Sequence, residues 1–237
     1  MIRSIAFSLP LLALAMPAAA AEIQIQAQGP VVEVTAAQTV QSAPDIATIS
    51  GGVTSRATTA VEAMRLNAAA MDKVIAALKK QGIDAKDIQT SGISLNPQWR
   101  WNNDQSPPTF LGYDAANRVS VTLRNVASTG PVLDAMIVAG ANEVSGPQFS
   151  LSDDTGARDV ARKAAFDKAG KQAAGYARMA GYSSVRLLEV NETLTGGGPI
   201  PFARDAVMVQ AAAAKTPVEP GQVGTVVQVT VKYEMVK

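Results

Sequence analysis

Residues 45–54 alternate between apolar and polar side chains with a period of two, which predicts a strand that buries one face. A helix is predicted to follow at 59–81, because Thr59 and Glu62 have the spacing of a capping box and Gly82 can end the helix in a left-handed conformation. The apolar residues of this helix recur at helical spacing. They predict one buried stripe, formed by Val61, Met64, Ala68, Met71, Ile75 and Leu78.

The next two strands are predicted at 88–101 and 113–125, on either side of the polar run 102–108, and together they form a hairpin. Pro97 lies in the first of them and has no N–H to donate, so this strand is predicted at the edge of the sheet. A second helix is predicted at 131–139, with an apolar side of Val132, Leu133, Met136 and Ile137, and a further strand at 144–151.

From position 45 to 151 the predicted order is β-α-β-β-α-β, the ferredoxin-like order in which two helices cover one face of an antiparallel sheet. A strand at 31–36 is predicted to pair with the strand at 45–54. A long third helix at 155–180, capped by Asp153 or Asp154, carries an alanine every fourth residue from Ala157 to Ala177. Strands at 185–191 and 227–235 close the chain, and a short strand is predicted at 207–210. The predicted fold class is therefore α+β, with this body, the third helix and the closing C-terminal strands.

The first 21 residues have the features of a secretory signal: a basic start at Arg3, an apolar core at 5–16 and small residues at Ala19–Ala21. The core is shorter than the ~20 residues that a membrane-spanning helix needs, so a cleaved signal is favoured over a membrane anchor. We expect cleavage before Glu22, export to the periplasm, a single domain at 22–237 and no membrane span in the mature chain.

The amino-acid composition limits which binding and catalytic functions the chain can have. Once Arg3 has been removed, basic and acidic residues are equal in number, so no net charge favours binding to nucleic acid. The chain has no cysteine and no histidine, which excludes disulfides and argues against a zinc or iron site, a catalytic triad or any cofactor. Asp153 and Asp154 are explained by helix capping rather than calcium, and Gly196–Gly198 lacks the Lys-Ser/Thr of a phosphate loop.

Several short segments, in this order, resemble the SIMPL-domain family of exported bacterial proteins. They are Ala43–Ala47, Gly82–Ile83, Gln89–Leu95, Gly112–Tyr113, Val119–Val121, Gly140–Glu143, Phe149–Asp153 and Pro217–Gly221. The resemblance covers nearly all of the chain after the signal. It implies a periplasmic, homo-oligomeric protein linked to oxidative or envelope stress, and it supplies no catalytic residue.

Trp99, Trp101, Phe110 and Tyr113 form the densest aromatic cluster in the sequence and flank a polar loop at the predicted edge. They are either a small core beneath that loop or a contact surface for another subunit or an apolar ligand. The leading hypothesis is a non-enzymatic periplasmic protein that self-assembles and contributes to stress tolerance, with an envelope protein as a further partner. The alternatives are a binding module for a small apolar or peptide ligand at the aromatic edge, and a hydrolase that uses carboxylates alone.

Overall fold

The computed structural model describes residues 27–101, 107–193, 200–202 and 216–237. The expected signal at 1–21 and the expected strand at 207–210 lie outside these ranges. The helices are α1 (Ala60–Lys80), α2 (Thr129–Val138) and α3 (Thr155–Met179). The strands are β1 (Val31–Ser42), β2 (Ile46–Ala57), β3 (Ile88–Arg100), β4 (Thr109–Leu123), β5 (Glu143–Ser150), β6 (Ser184–Thr193), β7 (Ile200–Phe202) and β8 (Gln222–Val236).

The first sheet has the strand order β3-β4-β2-β5, and each neighbouring pair is antiparallel. Helices α1 and α2 pack on one face, so the predicted β-α-β-β-α-β body is confirmed. The predicted inward face of β2 is also confirmed, since Ala47, Ile49 and Val53 are buried. They pack with Leu78 of α1 and Met136 of α2 in one apolar core.

The second sheet has the order β1-β8-β6, with β7 paired to the start of β8. The prediction that the first strand pairs with β2 was wrong: β1 pairs with β8 from Val31 opposite Glu234 to Ser42 opposite Val223. Alternation shows which face of a strand is buried but does not identify its partner. The partner follows from packing, because Val34 and Ala36 of β1 lie in the core that α3 covers.

Helix α3 approaches the second sheet through its row of alanines. Ala161, Ala165, Ala169 and Ala173 are fully buried against β1 and β8, as the four-residue repeat predicted. Ala157, at the start of the row, is only partly buried. Because an alanine side chain is a single methyl group, the helix axis can lie close to the sheet.

The predicted stripe of α1 was wrong at three of its positions. Val61 is 81% exposed, Met64 is 36% exposed and Ala68 is also exposed, whereas Ala63, Asn67, Met71, Val74 and Leu78 are buried. Asn67 causes the difference, since its side-chain amide donates hydrogen bonds to the carbonyl oxygens of Val53 (2.6 Å) and Ala115 (2.9 Å). A polar residue that bonds to two neighbouring strands belongs to the buried face, although a count of apolar positions leaves it out.

The ends of the helices follow their capping residues only in part. The Thr59 hydroxyl accepts from the Glu62 N–H at 3.3 Å, but the Glu62 carboxylate pairs with Arg65 at 2.7 Å, so only half of the capping box forms. At the start of α3, the Asp153 carboxylate accepts from the Thr155 N–H at 2.9 Å.

On α2 the predicted apolar side is buried except for Ile137, which is 54% exposed. None of the helices in the described ranges is long and apolar enough to cross a membrane.

Glu234 in β8 is buried although its side chain is charged. Its carboxylate accepts hydrogen bonds from the N–H groups of Gln28 (2.7 Å) and Gly29 (2.6 Å) and pairs with Arg186. The hydrogen bond from Arg186 is the main cause that lowers the pKa of Glu234, and the two backbone N–H groups add to it. Glu234 therefore fastens the residues that precede β1 to the second sheet.

Candidate functional site

The hairpin of β3 and β4 brings three of the four predicted aromatic residues together. Pro97 lies opposite Tyr113 and Trp99 lies opposite Phe110, because Leu111 is an extra residue that bulges out of the pairing. The rings of Trp99 and Phe110 are 5.0 Å apart at 60°, and those of Phe110 and Tyr113 are 5.3 Å apart at 72°. Both contacts have the edge-to-face geometry that aromatic pairs favour.

Gly112 makes this bulge possible. Its φ is +125°, a conformation that side-chain-bearing residues rarely adopt. A Cβ at this position would also lie 2.4 Å from the carbonyl oxygen of Ala57, the last residue of β2. The backbone therefore passes close to β2 at a point where only glycine fits, and this fixes where Phe110 and Tyr113 emerge.

The cluster is open to solvent on an outer strand. Trp99 is 51% exposed, Trp101 is 79% exposed, and Tyr113 is partly buried. Two aliphatic residues extend the apolar surface along β3, and Leu111 extends it on β4. Leu111 was not predicted from the sequence, because the strand was predicted to begin only at Tyr113. We call the exposed set the aromatic edge: Ile93, Leu95, Trp99, Trp101, Phe110 and Leu111.

Charged side chains beside the hairpin are held in internal ion pairs. The Arg56 guanidinium bonds to the Asp114 carboxylate, with Nε 2.5 Å from Oδ1, and this lowers the pKa of Asp114. On the open face of the sheet, the hydrogen bond from the Thr54 hydroxyl, followed by that from Arg118, lowers the pKa of Glu143. These carboxylates stay ionised near neutral pH and bind arginine rather than acting as proton donors.

No group of three or more His, Cys, Asp or Glu side chains lies close enough to hold a metal ion within the described ranges. The acidic side chains beside the hairpin instead pair with arginine. Asn142, which precedes β5, bonds to both the N–H and the carbonyl oxygen of Thr54 in β2 at 2.8 Å. The polar residues of the segment Gly140–Glu143 thus have a structural use in this fold.

Two other segments that carry the family resemblance meet at the links between the two sheets. The Asp45 carboxylate accepts from the Ser152 N–H at 2.6 Å and from the Ser152 hydroxyl at 2.5 Å. The Asp45 N–H in turn donates to the Ser150 carbonyl oxygen at 3.2 Å. These bonds join the residue before β2 to the segment between β5 and α3.

We expect the hydrogen bonds between Asp45 and Ser152 to make the stability of the fold depend on pH. The Ser152 hydrogen bonds lower the pKa of Asp45 below its ordinary value of 3.8. A carboxyl group whose pKa is lower in the folded state stabilises the fold above the unfolded pKa, and that stabilisation is lost as the pH falls through the folded pKa. Asp45→Asn should therefore lower the melting temperature at pH 7, and the difference from the unaltered protein should shrink as the pH falls below 3.8 and through the lowered pKa of Asp45.

The measurement is the melting temperature of both proteins between pH 7 and pH 2. Ser152→Ala is the matched variant, because it removes one of the donors, and combining it with Asp45→Asn should add less than the two single effects together. A difference that stays constant across the whole pH range would contradict the assignment.

Residues 32–233 match the SIMPL family, which is described as "Protein of unknown function (DUF541)". The "26 kDa periplasmic immunogenic protein" of Brucella melitensis is 33% identical over 231 residues, which is 94% of this chain and 92% of that protein. The "Uncharacterized protein YggE" of Escherichia coli K12 is 30% identical over 145 residues, 61% of this chain and 58% of that protein. On the extent of these matches, the chain belongs to the SIMPL family.

Proposed function

We propose that this protein is exported to the periplasm and works there without enzymatic activity, as a protein that self-assembles through the aromatic edge and contributes to tolerance of oxidative or envelope stress. The observation that supports assembly most directly is the exposure of Trp99, at 51%, on an outer strand. The relative named periplasmic in Brucella and the signal features of residues 1–21 support the location.

The aromatic edge has the composition of a protein contact. Tryptophan and other aromatic residues are enriched at interfaces and account for a large share of the residues that dominate binding energy. Here Trp99 and Phe110 stand edge to face with much of each ring exposed, and Ile93, farther along the same outer strand, is 59% exposed. Covering these side chains would remove apolar surface from water. Each Å² of apolar surface buried in this way would stabilise the assembly by about 25 cal/mol.

The charge of the chain permits copies to associate. The numbers of basic and acidic residues are equal once Arg3 is removed, so no long-range repulsion separates identical copies. The chain also lacks disulfides, because it has no cysteine, so its stability must come from packing. Association through the folded state would add to that stability.

The absence of enzymatic activity is supported by the residue types and by their contacts. Histidine and cysteine are missing, and the carboxylates near the hairpin are paired with arginine. A hydrolase that uses carboxylates alone needs one group that holds a proton near neutral pH, whereas the pKa values of Asp114 and Glu143 are lowered. The names of the relatives state no reaction.

Replacing both Trp99 and Trp101 with Ser should reduce the particle mass. Truncating an anchor residue of an interface typically costs ~2 kcal/mol or more, so losing two should dissociate the assembly at micromolar concentration. The measurement is multi-angle light scattering of the chain from residue 22 onward, together with its melting temperature. A smaller particle with a folded subunit supports the proposal, and an unchanged mass contradicts it.

The matched control is Tyr176→Ser combined with Met179→Ser. These residues of α3 are 50% and 83% exposed, comparable to the two tryptophans, but they lie on the helix of the second sheet. We expect the control to keep the mass of the unaltered protein. If both double variants dissociate, general surface apolarity rather than the aromatic edge drives association.

The binding-module alternative uses the same surface, because an outer strand can take up an extended peptide as an additional strand. The two tryptophans of the chain are Trp99 and Trp101, so intrinsic tryptophan fluorescence reports on this edge. A protein that is monomeric at all concentrations, but whose emission shifts to the blue with a hydrophobic peptide, would favour the alternative. A concentration-dependent blue shift without ligand favours self-assembly.

The stress role rests on the family resemblance and is tested in cells. A strain that lacks the gene should survive peroxide or membrane-perturbing detergent less well than its parent, and the unaltered gene should restore survival. If the Trp99→Ser, Trp101→Ser variant also restores survival fully while its protein is dissociated, assembly is not needed for the stress role.

A further inference from the structure

We infer that two copies join through their β3 strands, which run antiparallel about a twofold axis at Ser94 and combine the two four-stranded sheets into one. This inference rests on the proposed self-assembly through the aromatic edge and adds the strand, the direction and the register. It follows from the pairing of β3, from its two interruptions and from its lack of charge.

Strand β3 is the outer strand of the first sheet, so one side of its backbone is not paired within the sheet. Two features limit where another strand could be added. Ser91 is left out of the pairing with β4, since the register shifts between Thr90 and Gly92. Pro97 has no N–H and cannot donate to an added strand. Between them, residues 92–96 pair regularly with β4.

These two interruptions are equally far from Ser94, which lies midway along the regular stretch. If a second copy pairs antiparallel about an axis at Ser94, the bulge at Ser91 of each copy lies opposite Pro97 of the other. Both interruptions then coincide at the two ends of the new ladder. A shifted register would place one of them within the ladder, where it would cost a hydrogen bond.

The side chains also fit this register. Ile93 of one copy lies directly opposite Leu95 of the other, and the same contact repeats across the axis. Both residues are exposed in the single chain, at 59% and 39%, so the pairing would cover four aliphatic side chains. On the opposite face, Ser94 meets Ser94 of the second copy, a small polar pair that is tolerated in a sheet.

The charge pattern selects β3 over the other long outer strands. No charged residue occurs from Ile88 to Trp99, so identical copies meet without like charges. Charged side chains are a common protection of outer strands against pairing with another chain. They are present on the other long outer strands, with Glu33 in β1, Glu143 in β5, and Arg186, Glu189 and Glu192 in β6. The outer strand β7 is uncharged, but with three residues it is too short for such a ladder.

The same register gives the tryptophans a partner. Beyond the ladder the extra residue Ser91 shifts the count by one, so Trp99 of each copy lies beside Ile88 of the other and each aromatic end reaches the first residue of the neighbouring β3. This arrangement extends the contact from the regular stretch 92–96 to the full strand. It also explains why truncating the tryptophans should weaken a contact that is centred on Ser94.

The test uses the natural absence of cysteine. Ser94→Cys gives a protein with a single thiol, and a twofold axis at this residue brings the two thiols together. Opposed Cα atoms in an antiparallel pair are about 4.5–5.5 Å apart, within the usual range for a disulfide. We expect mild oxidation at low protein concentration to give a covalent dimer on a non-reducing gel.

Asn96→Cys is the matched control on the same strand. In the inferred register, position 96 of one copy lies four residues along the strand from position 96 of the other, or about 13 Å at 3.3 Å per residue. This distance is too long for a disulfide, so Asn96→Cys should remain uncrosslinked at the time when Ser94→Cys is converted. Equal crosslinking of both variants would overturn the register.

Light scattering of the unaltered and reduced variant proteins separates this inference from the proposed function. If the proteins assemble but Ser94→Cys does not crosslink, the register is wrong and self-assembly stands. If the unaltered protein is monomeric at all concentrations, both fail. Assembly together with selective crosslinking at position 94 supports both.

Discussion

Leu78→Ala is expected to lower the free energy of unfolding by about 2–5 kcal/mol. Leu78 is fully buried in the last turn of α1, where it packs in the core with Met71 and Val74 of the same helix and Val121 of β4. Truncation removes most of the side chain and leaves a cavity that the closely packed sheet cannot fill. The measurement is chemical denaturation at fixed protein concentration, because association changes apparent stability.

The matched control is Val61→Ala on the same helix. The sequence placed both residues on one stripe, whereas Val61 is 81% exposed. Its truncation should change the free energy of unfolding by no more than about 0.5 kcal/mol. The pair therefore tests the face of the helix and not only its presence, and equal effects of the two variants would show that the observed burial is wrong.

The order of the elements could be predicted because each depends on a local period. Alternation in β2 and the helical spacing in α1 and α3 are properties of short segments, and the glycines at 82 and 181 mark where two helices end. The partner of β1 could not be predicted in this way. It pairs with β8, at the far end of the chain, and alternation in both strands is compatible with several partners.

The buried face of α1 shows a second limit. Asn67 would be expected in solvent from its polarity, but it lies in the core because two strand carbonyl oxygens accept its amide hydrogens. Such a position depends on the spacing between β2 and β4, which no single segment encodes. The contact of Asp45 with Ser152 is similar, since each residue alone is an ordinary turn residue.

The aromatic residues of this edge were predictable from the sequence, whereas its geometry was not. Pro97 indicated an outer strand, and aromatic residues on both sides of a polar run indicated a cluster. The bulge at Leu111 was not predictable, because one extra residue changes which side chains share a face and leaves no period in the sequence. The contact of Phe110 with both Trp99 and Tyr113 depends on that bulge.

Gly112→Ala should therefore disturb both stability and the site. At φ +125° a residue with a side chain is strained, and such backbone strain costs about 1–3 kcal/mol. The new Cβ would also meet the Ala57 carbonyl oxygen at 2.4 Å, and this atom belongs to the backbone of β2, which pairs with β4, so it cannot move away cheaply. We expect the variant to lose at least about 2 kcal/mol of unfolding free energy.

The fluorescence of Trp99 and Trp101 gives the second readout. If the bulge straightens to relieve the strain, Phe110 and Leu111 change faces and the ring contact with Trp99 is lost, so the emission and the near-ultraviolet circular dichroism should change. Gly92→Ala is the control in the same hairpin, because a Cβ at Gly92 meets nothing within 4 Å. It should leave the unfolding free energy within about 1 kcal/mol of the unaltered protein. If Gly112→Ala is tolerated as well as Gly92→Ala, with unchanged tryptophan spectra, then the bulge does not position the aromatic edge.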